Sequence, residues 1–332
     1  ATPLAVSAAI GHAARQKILI KGGDALENLA RPGRMVLDKT GTLTEGRMAI
    51  VRWWGDEDLR AAAASVERHS AHPVARAFSE LDFSGTEAAD VVETPGAGIE
   101  GTVDGWRLIA GSASFVASVF GEAPATVTEV VETFAADGVS PVLIAVDGVV
   151  RAIAGIGDPL RDDSASSVEA MQESGWQVEV LSGDHPAAVQ SIAAQIGLAR
   201  DAARGAATPE NKLHSIQSSG GETVAMVGDG VNDAAALAAA TVGIGVHGGA
   251  EAVLAAADVY LGRPGLAPVV ELLEGSRRTL AVIRRNLVFS LAYNVVAVSF
   301  AITGHMSPIL AAILMPLSSM TVVLSSYRAK TF

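Results

Sequence analysis

Three short apolar runs in this chain each stop at an aspartate, and that repetition limits the folds open to it. "MVLDKTG" (35–41), "QVEVLSGD" (177–184) and "TVAMVGDG" (223–230) carry Asp38, Asp184 and Asp229 at or just beyond their ends. Two more β-branched runs, "TVGIGV" (241–246) and "DVYL" (258–261), follow, and alanine-rich amphipathic stretches separate the runs. Strands alternating with helical segments predict βαβ units and a doubly wound parallel sheet of the α/β class. In such open sheets ligands bind outside the carboxyl ends of the strands. Three carboxylates are therefore expected at one edge of one sheet.

A carboxylate in that position can cap a helix, hold a cation or act as a nucleophile. One alone would be read as a cap; three together favour chemistry. A phosphoryl acceptor needs a carboxylate, a divalent cation and donors for the transferred oxygens. Asp38 supplies the first. Asp229, with Asp233 one helical turn on, can hold Mg²⁺, which takes a few carboxylates together with phosphate and water. Thr42, Ser182, Asn232 and Lys212 are donors of the required kinds. The net charge of −12 argues against nucleic acid as a partner. The absence of cysteine excludes disulfides and thiolate metal sites within the chain.

Residues 48–155 interrupt the alternation and are too many for a loop, so a second, mixed α+β domain is expected there. It contains a glycine-rich turn, "TPGAGIEGTVDG" (94–105), and ends in "PVLIAVDGVVRAIAGI" (141–156), where Asp147-Gly148 signals a hairpin. "SVERHSAHPVARAF" (65–78) places Glu67, His69 and His72 together. A His-Pro pair by itself marks only a helix start. Gly96, Gly98 and Gly101 permit close backbone approach to phosphates or a base, although a lone G-x-G does not discriminate.

The last sixty residues change character, in a chain whose mean hydropathy is already +0.35. "NLVFSLAYNVVAVSFAIT" (286–303) and "PILAAILMPLSSMTVVL" (308–324) carry no charge. Each would span roughly 26 Å as a helix, against about 30 Å of hydrocarbon. Arg284, Arg285, Arg328 and Lys330 at the outer ends place both ends on the cytoplasmic side of a transmembrane hairpin. A buried hairpin in a soluble core is the alternative. Among its polar and thioether groups the hairpin offers Tyr293, Asn294, Met315, Ser318 and Ser319, and Pro316 is expected to break its second helix. Such groups also serve as ordinary helix-packing residues.

"DKTGTLTEG", "TPENK", "SGD" and "MVGDGVND" resemble the phosphorylation domain of the P-type cation-transporting ATPases, a family within the haloacid-dehalogenase superfamily. The resemblance implies that Asp38 accepts the γ-phosphate of ATP. Mg²⁺ would be held by Asp38, the Thr40 carbonyl, Asp229 and Asp233. Lys212 would neutralise the phosphate, and Ser182 with Gly183 would hydrogen-bond it. Lys39, Thr42, Asp184 and Asn232 complete the implied catalytic set, and Asp158 of "DPLR" (158–161) supports it. Phosphatases of the superfamily commonly carry a second aspartate two residues after the nucleophile. Thr40 stands there and cannot shuttle a proton at neutral pH, so a phosphoenzyme would persist.

The His-Pro pair with "PGAGIEG" (95–101) resembles the nucleotide-binding domain of the heavy-metal branch, implying that Glu67, His72, Gly96 and Gly98 hold ATP. Ala71, Ser112 and Ala235 depart from residues frequent in that branch. "YN" followed by "MxxSS" resembles the last two helices of its copper(I)-exporting members, and thioether and hydroxyl donors without a carboxylate suit a soft monovalent ion. The implied order is the end of a membrane helix and a stalk (1–32), phosphorylation domain (33–47), nucleotide-binding domain (48–155), phosphorylation domain again (156–272) and two transmembrane helices (273–332). The actuator domain and a cysteine-containing transport motif are expected to precede residue 1. The implied setting is a bacterial cell membrane, with lipid, ATP, the heavy-metal ion and a soluble metallochaperone as partners. A free-standing phosphatase of the same superfamily, or a pump for Zn, Cd, Co, Ag or K, are the rival readings.

Overall fold

The computed structural model describes residues 2–81, 85–218, 220–229, 233–249, 251–305 and 307–332; the side chains of Thr2, Glu251, Ala252, Pro308, Leu310, Ala311 and Met315 lie outside that description. Elements are numbered along the chain. A seven-stranded sheet runs in the order β1 (Ile18–Ile20), β13 (Val259–Leu261), β12 (Val242–Gly245), β11 (Val224–Gly228), β2 (Arg34–Leu37), β9 (Gln177–Leu181) and β10 (Ala203–Arg204). All its pairings are parallel except β1 with β13. Helices cover both faces. One layer comprises α1 (Thr2–Arg15), α2 (Gly23–Leu29), α7 (Ser164–Glu173), α8 (Pro186–Gln195) and the start of α12 (Ala267–Ile302). The other comprises α9 (Pro209–Gln217), α10 (Ala234–Ala239) and α11 (Glu251–Ala256). Two-sided burial explains why these strands read as unbroken apolar runs: in β2, Met35 and Leu37 enter one core and Val36 the other.

The interrupting segment forms a second, wholly antiparallel sheet in the order β3 (Ala49–Gly55), β8 (Val149–Gly157), β7 (Ser140–Val146), β6 (Trp106–Gly111), β5 (Gly98–Val103) and β4 (Ala89–Thr94). The pair α3 (Leu59–Glu67) and α4 (Pro73–Phe78) packs on one face, and α5 (Ala113–Phe120) with α6 (Ala125–Ala136) on the other. Asp147 and Gly148 adopt φ of +46° and +89°, the left-handed pair that a tight β7–β8 hairpin requires.

Residues 18–29 are more than the stalk expected of them. Ile18 and Ile20 are buried on the sheet edge and α2 contributes Leu26 and Leu29 to the main core. A three-residue strand is too short to show periodicity in sequence. At the other end, α12 runs unbroken from the sheet through residue 302 and packs along α13 (Pro308–Arg328). Among the described residues α12 is the one helix long and apolar enough to cross a membrane. Pro316 lies within α13 and does not end it, because one missing backbone hydrogen bond can be absorbed by the turns on either side. The two helices expose Leu291, Val295, Val298, Ile302, Ile309 and Ile313, far more apolar surface than a soluble monomer leaves uncovered.

Candidate functional site

Because β2 and β11 are parallel neighbours with Leu37 opposite Val227, the residues that follow them emerge side by side. The Asp38 amide donates to the Val227 carbonyl at 2.9 Å. Asp38, Asp229 and Asp233 place carboxylate oxygens within 4.8 Å of one another. Lys212, from α9, donates to Asp38 Oδ1 at 2.5 Å and to Asp233 Oδ1 at 2.7 Å, and Asp38, Asp233 and Lys212 are all buried. Burial, then the Asp233 charge, pushes Asp38 up to about 6, with Lys212 pulling the other way. Burial and Asp233 also push Asp229 up. Burial opposes the charge on Lys212, but the two carboxylates outweigh it and raise its pKa.

Three carboxylates against one ammonium leave excess negative charge in a desolvated place, which is unfavourable without a further cation. An all-oxygen donor set suits a hard ion such as Mg²⁺. The Thr42 hydroxyl, also buried, has no partner among the described residues, as a group reserved for a ligand oxygen would. These residues fit a Mg²⁺–phosphate site.

The chain leaves Asp38 through a wide turn, Lys39–Leu43, in which Gly41 has φ +70°. A Cβ at Gly41 would collide with the Asp229 carboxylate, so the glycine lets the turn lie against that side chain. Asp184 does not join the cluster. It pairs with Lys39 and is nearly half exposed, because β9 ends on the far side of β2 and three more residues carry the chain outward. Ser182 is buried and its hydroxyl accepts the Asp184 amide at 3.2 Å, while Gly183 is exposed. Asn232 lies outside the described residues.

Sequence reasoning gave Asp158 of the returning segment a supporting role but missed Arg161 and Ser164, which grip this turn. Arg161 donates from Nε to the Thr42 carbonyl at 3.1 Å and from Nη2 to the Gly41 carbonyl at 3.0 Å. Its amide and the Ser164 hydroxyl both donate to the Leu43 carbonyl, at 3.0 and 2.7 Å. Asp158 accepts from the Thr44 hydroxyl (2.6 Å) and the amides of Gly46 and Arg47 (2.8 and 3.2 Å). The arginine of "DPLR" was the available signal, but nothing local says which carbonyls, some 120 residues away, it reaches.

In the second sheet, Glu67, His72, Gly96 and Gly98 share one cavity of about 200 Å³, room for part of a nucleotide rather than all of it. His72 caps α4: its Nδ1 accepts the Val74 amide at 3.2 Å, which leaves the proton on Nε2. The His72 amide donates to Ser70 Oγ (3.0 Å), and that hydroxyl donates to Glu93 (2.7 Å). Burial, then the Glu93 charge, pushes Glu67 up to about 7. Gly98 is a glycine for packing reasons: a Cβ there would meet Phe115 and the Gly111 backbone, whereas one at Gly96 (φ +74°) would meet nothing. A cleft of about 410 Å³ between the two sheets is lined by Lys39, Thr40, Asp158, Asp184 and His185, and Ser140 borders both it and the first cavity. His185 caps α8 as His72 caps α4.

In the apolar hairpin, Tyr293 and Ser318 are half-buried while Asn294 and Ser319 are exposed; the Met315 side chain is outside the description. The hairpin is pinned lower down, where Asn286 bonds Ser326 (2.8 Å) and Ser325 (3.0 Å).

Residues 35–241 match the haloacid dehalogenase-like hydrolase family. The whole chain is 36% identical to the "Cation-transporting P-type ATPase B" of Mycobacterium tuberculosis, covering 45% of that protein. It is 33% identical to a "Copper-exporting P-type ATPase" of Staphylococcus aureus, over 99% of this chain and 42% of the relative. The chain thus spans about half the length of these curated relatives. Among solved structures, a zinc-transporting PIB-type ATPase in an E2.Pi state superposes with a TM-score of 0.84 at 30% identity, covering 99% of this chain and 55% of the other. The catalytic CPx-ATPase domain CopB-B in a nucleotide-binding study gives 0.54 at 25% identity, over 80% of this chain and 98% of that domain.

Proposed function

Since the chain belongs to the haloacid dehalogenase-like hydrolase family, we propose that it is the catalytic portion of an ATP-driven heavy-metal pump of the P type, with Asp38 as phosphoryl acceptor. The observation that carries this is the Asp38–Asp229–Asp233 group, whose buried members Asp38 and Asp233 are bridged by Lys212; two cavities that share Ser140 as a border, one lined by Glu67 and His72 and the other by Lys39 and Thr40, support it.

In the proposed step an Asp38 oxygen bonds to the γ-phosphorus of ATP. The bond from that phosphorus to the β,γ-bridging oxygen breaks, and ADP leaves with the electron pair. Asp38, Asp229, Asp233 and the Thr40 carbonyl would hold Mg²⁺, which supplies charge neutralisation for the phosphate oxygens. Lys212 offsets charge beside the acceptor, and Thr42, Ser182, Gly183 and Asn232 donate to the transferred group. Lys39 is kept at the cleft mouth by Asp184. Thr40 offers no base to take a proton from an attacking water, so the acyl phosphate survives long enough for a conformational change. Glu67, His72, Gly96 and Gly98 take the base end of ATP, His72 through its Nε2–H.

The transported ion is proposed to be Cu(I), on donors Tyr293, Asn294, Met315, Ser318 and Ser319: the apolar runs contain thioether and hydroxyl groups and no carboxylate. A bacterial cell membrane is the proposed location, with α12 and α13 in lipid, the two sheets in the cytoplasm and a soluble metallochaperone delivering the ion. Incubation of the complete protein with γ-labelled ATP and Mg²⁺ is expected to give a hydroxylamine-labile adduct that Asp38→Asn abolishes; labelling that survives the substitution refutes the acceptor. Stimulation of ATP hydrolysis by Zn(II) or Co(II), with none by Cu(I) or Ag(I), refutes the choice of ion.

A further inference from the structure

Asp163 occupies the N-cap position of α7, yet its side chain makes no cap bond to that helix. An aspartate there ordinarily accepts from the second or third amide of its own helix. Instead one oxygen, Oδ2, accepts the amides of Leu266 at 2.7 Å and Ala267 at 2.8 Å. Those amides open α12, whose own N-cap residue, Leu266, has no side chain able to serve them. A negative charge at this end also suits the helix dipole. Gly265, with φ +91°, makes room: a Cβ there would strike the Asp163 carboxylate.

The residues on either side of Asp163 are already committed. Arg161 and Ser164 hold the carbonyls of Gly41, Thr42 and Leu43, in the turn that leaves Asp38. One segment of four residues therefore fastens the acceptor turn on one side and the start of a 36-residue helix on the other. That helix continues without interruption to Tyr293 and Asn294, about 40 Å further along its axis. Its first turns pack into the main core through Val269, Leu272 and Leu273, all fully buried, and because the helix is unbroken a shift of its start is carried along it as a rigid element.

We infer that Asp163 is a positioning residue that ties the state of the Lys39–Leu43 turn to the start of α12. The inference rests on the proposed phosphorylation at Asp38 and adds the route by which that event reaches the apolar hairpin. When the turn rearranges around a phosphoryl group, Arg161 and Ser164 shift with the carbonyls they hold, and Asp163 shifts the amides of residues 266 and 267.

Hydrogen exchange of the complete protein, with and without fluoroberyllate as the probe of an acyl phosphate, tests this. In the wild type the probe is expected to change exchange both in residues 39–44 and in the first turn of α12. In Asp163→Ala, residues 266–270 exchange about five- to tenfold faster at rest, as for a lost cap, and cease to respond, while 39–44 still respond. Asp163→Asn keeps an oxygen that can accept both amides and is expected to restore the response. Gly265→Ala is a second way to part the carboxylate from the helix should Asp163→Ala not fold, and is likewise expected to silence residues 266–270. If 266–270 respond alike in wild type and both disrupting variants, or stay silent in wild type while 39–44 respond, the inference is overturned. No response at 39–44 in wild type would remove the phosphorylation reading and the inference with it.

Discussion

Among the described residues Lys212 is the one cation bonded to the buried carboxylate pair of Asp38 and Asp233, so Lys212→Met tests the electrostatics of the site directly. Methionine keeps most of the volume of the side chain and removes the charge. Deleting one partner of a buried ionic group costs about 3–5 kcal/mol, because the remaining charges stay desolvated and unpaired. That is the expected loss at pH 7.5 without divalent cations, read as faster exchange of β2 and β11 amides in their slow, cooperative opening. The loss depends on pH. Asp38 titrates near 6 in the fold against 3.8 when free, so the folded state binds the extra proton. Wild-type stability therefore falls as pH rises from about 4 to about 6, by about 3 kcal/mol. Lys212 holds that pKa down; without it the window extends upward. The variant's deficit should shrink as pH falls well below 3.8, where Asp38 is protonated in both states, and be full above neutrality. Mg²⁺ at about a hundredfold over its Kd returns about 2.7 kcal/mol to a protein that binds it only when folded, and the more negative variant should gain at least as much as wild type. A deficit below about 1 kcal/mol at pH 7.5, or one independent of pH, refutes this account of the site.

Glu67→Gln should stabilise the second sheet by about 3 kcal/mol above pH 7 and leave it unchanged below about 4.5. The reason is that Glu67 binds its proton up to about 7 when folded and only to 4.5 when free; exchange of β5 and β6 amides across that range measures it. Gly41→Ala should displace the Asp229 carboxylate and strain a residue at φ +70°. The stabilisation of β11 by Mg²⁺ should then be largely lost, while α3 and α4 in the other sheet are unaffected.

The carboxyl edge was readable because parallel strands covered on both faces must be apolar until they leave the sheet, and the first polar residue is then the one presented to a ligand. Asp38 and Asp229 follow that logic; Asp184 does not, since its strand lies beyond β2 and its side chain turned to Lys39. The β7–β8 hairpin was equally local, written in Asp147-Gly148. What could not be read were pairings fixed by tertiary placement. Arg161 and Ser164 meet carbonyls more than a hundred residues distant, and Asp163 looks in sequence like an ordinary helix cap. Glu67 reads as the polar end of a helix, yet it is buried, and that burial, then the charge of Glu93 on β4, raises its pKa.

The second sheet joins the first through two crossings that run alongside each other, with Thr44 bridged to Leu160 in antiparallel fashion and Asp158 on the second crossing accepting from Thr44 and Gly46 on the first. A body hung on two adjacent straps behaves like a door on its hinges: swinging about the line of the straps is easy, while twisting or sliding against them is resisted. Any movement of the second sheet about that line would carry the contents of its cavity along a single arc.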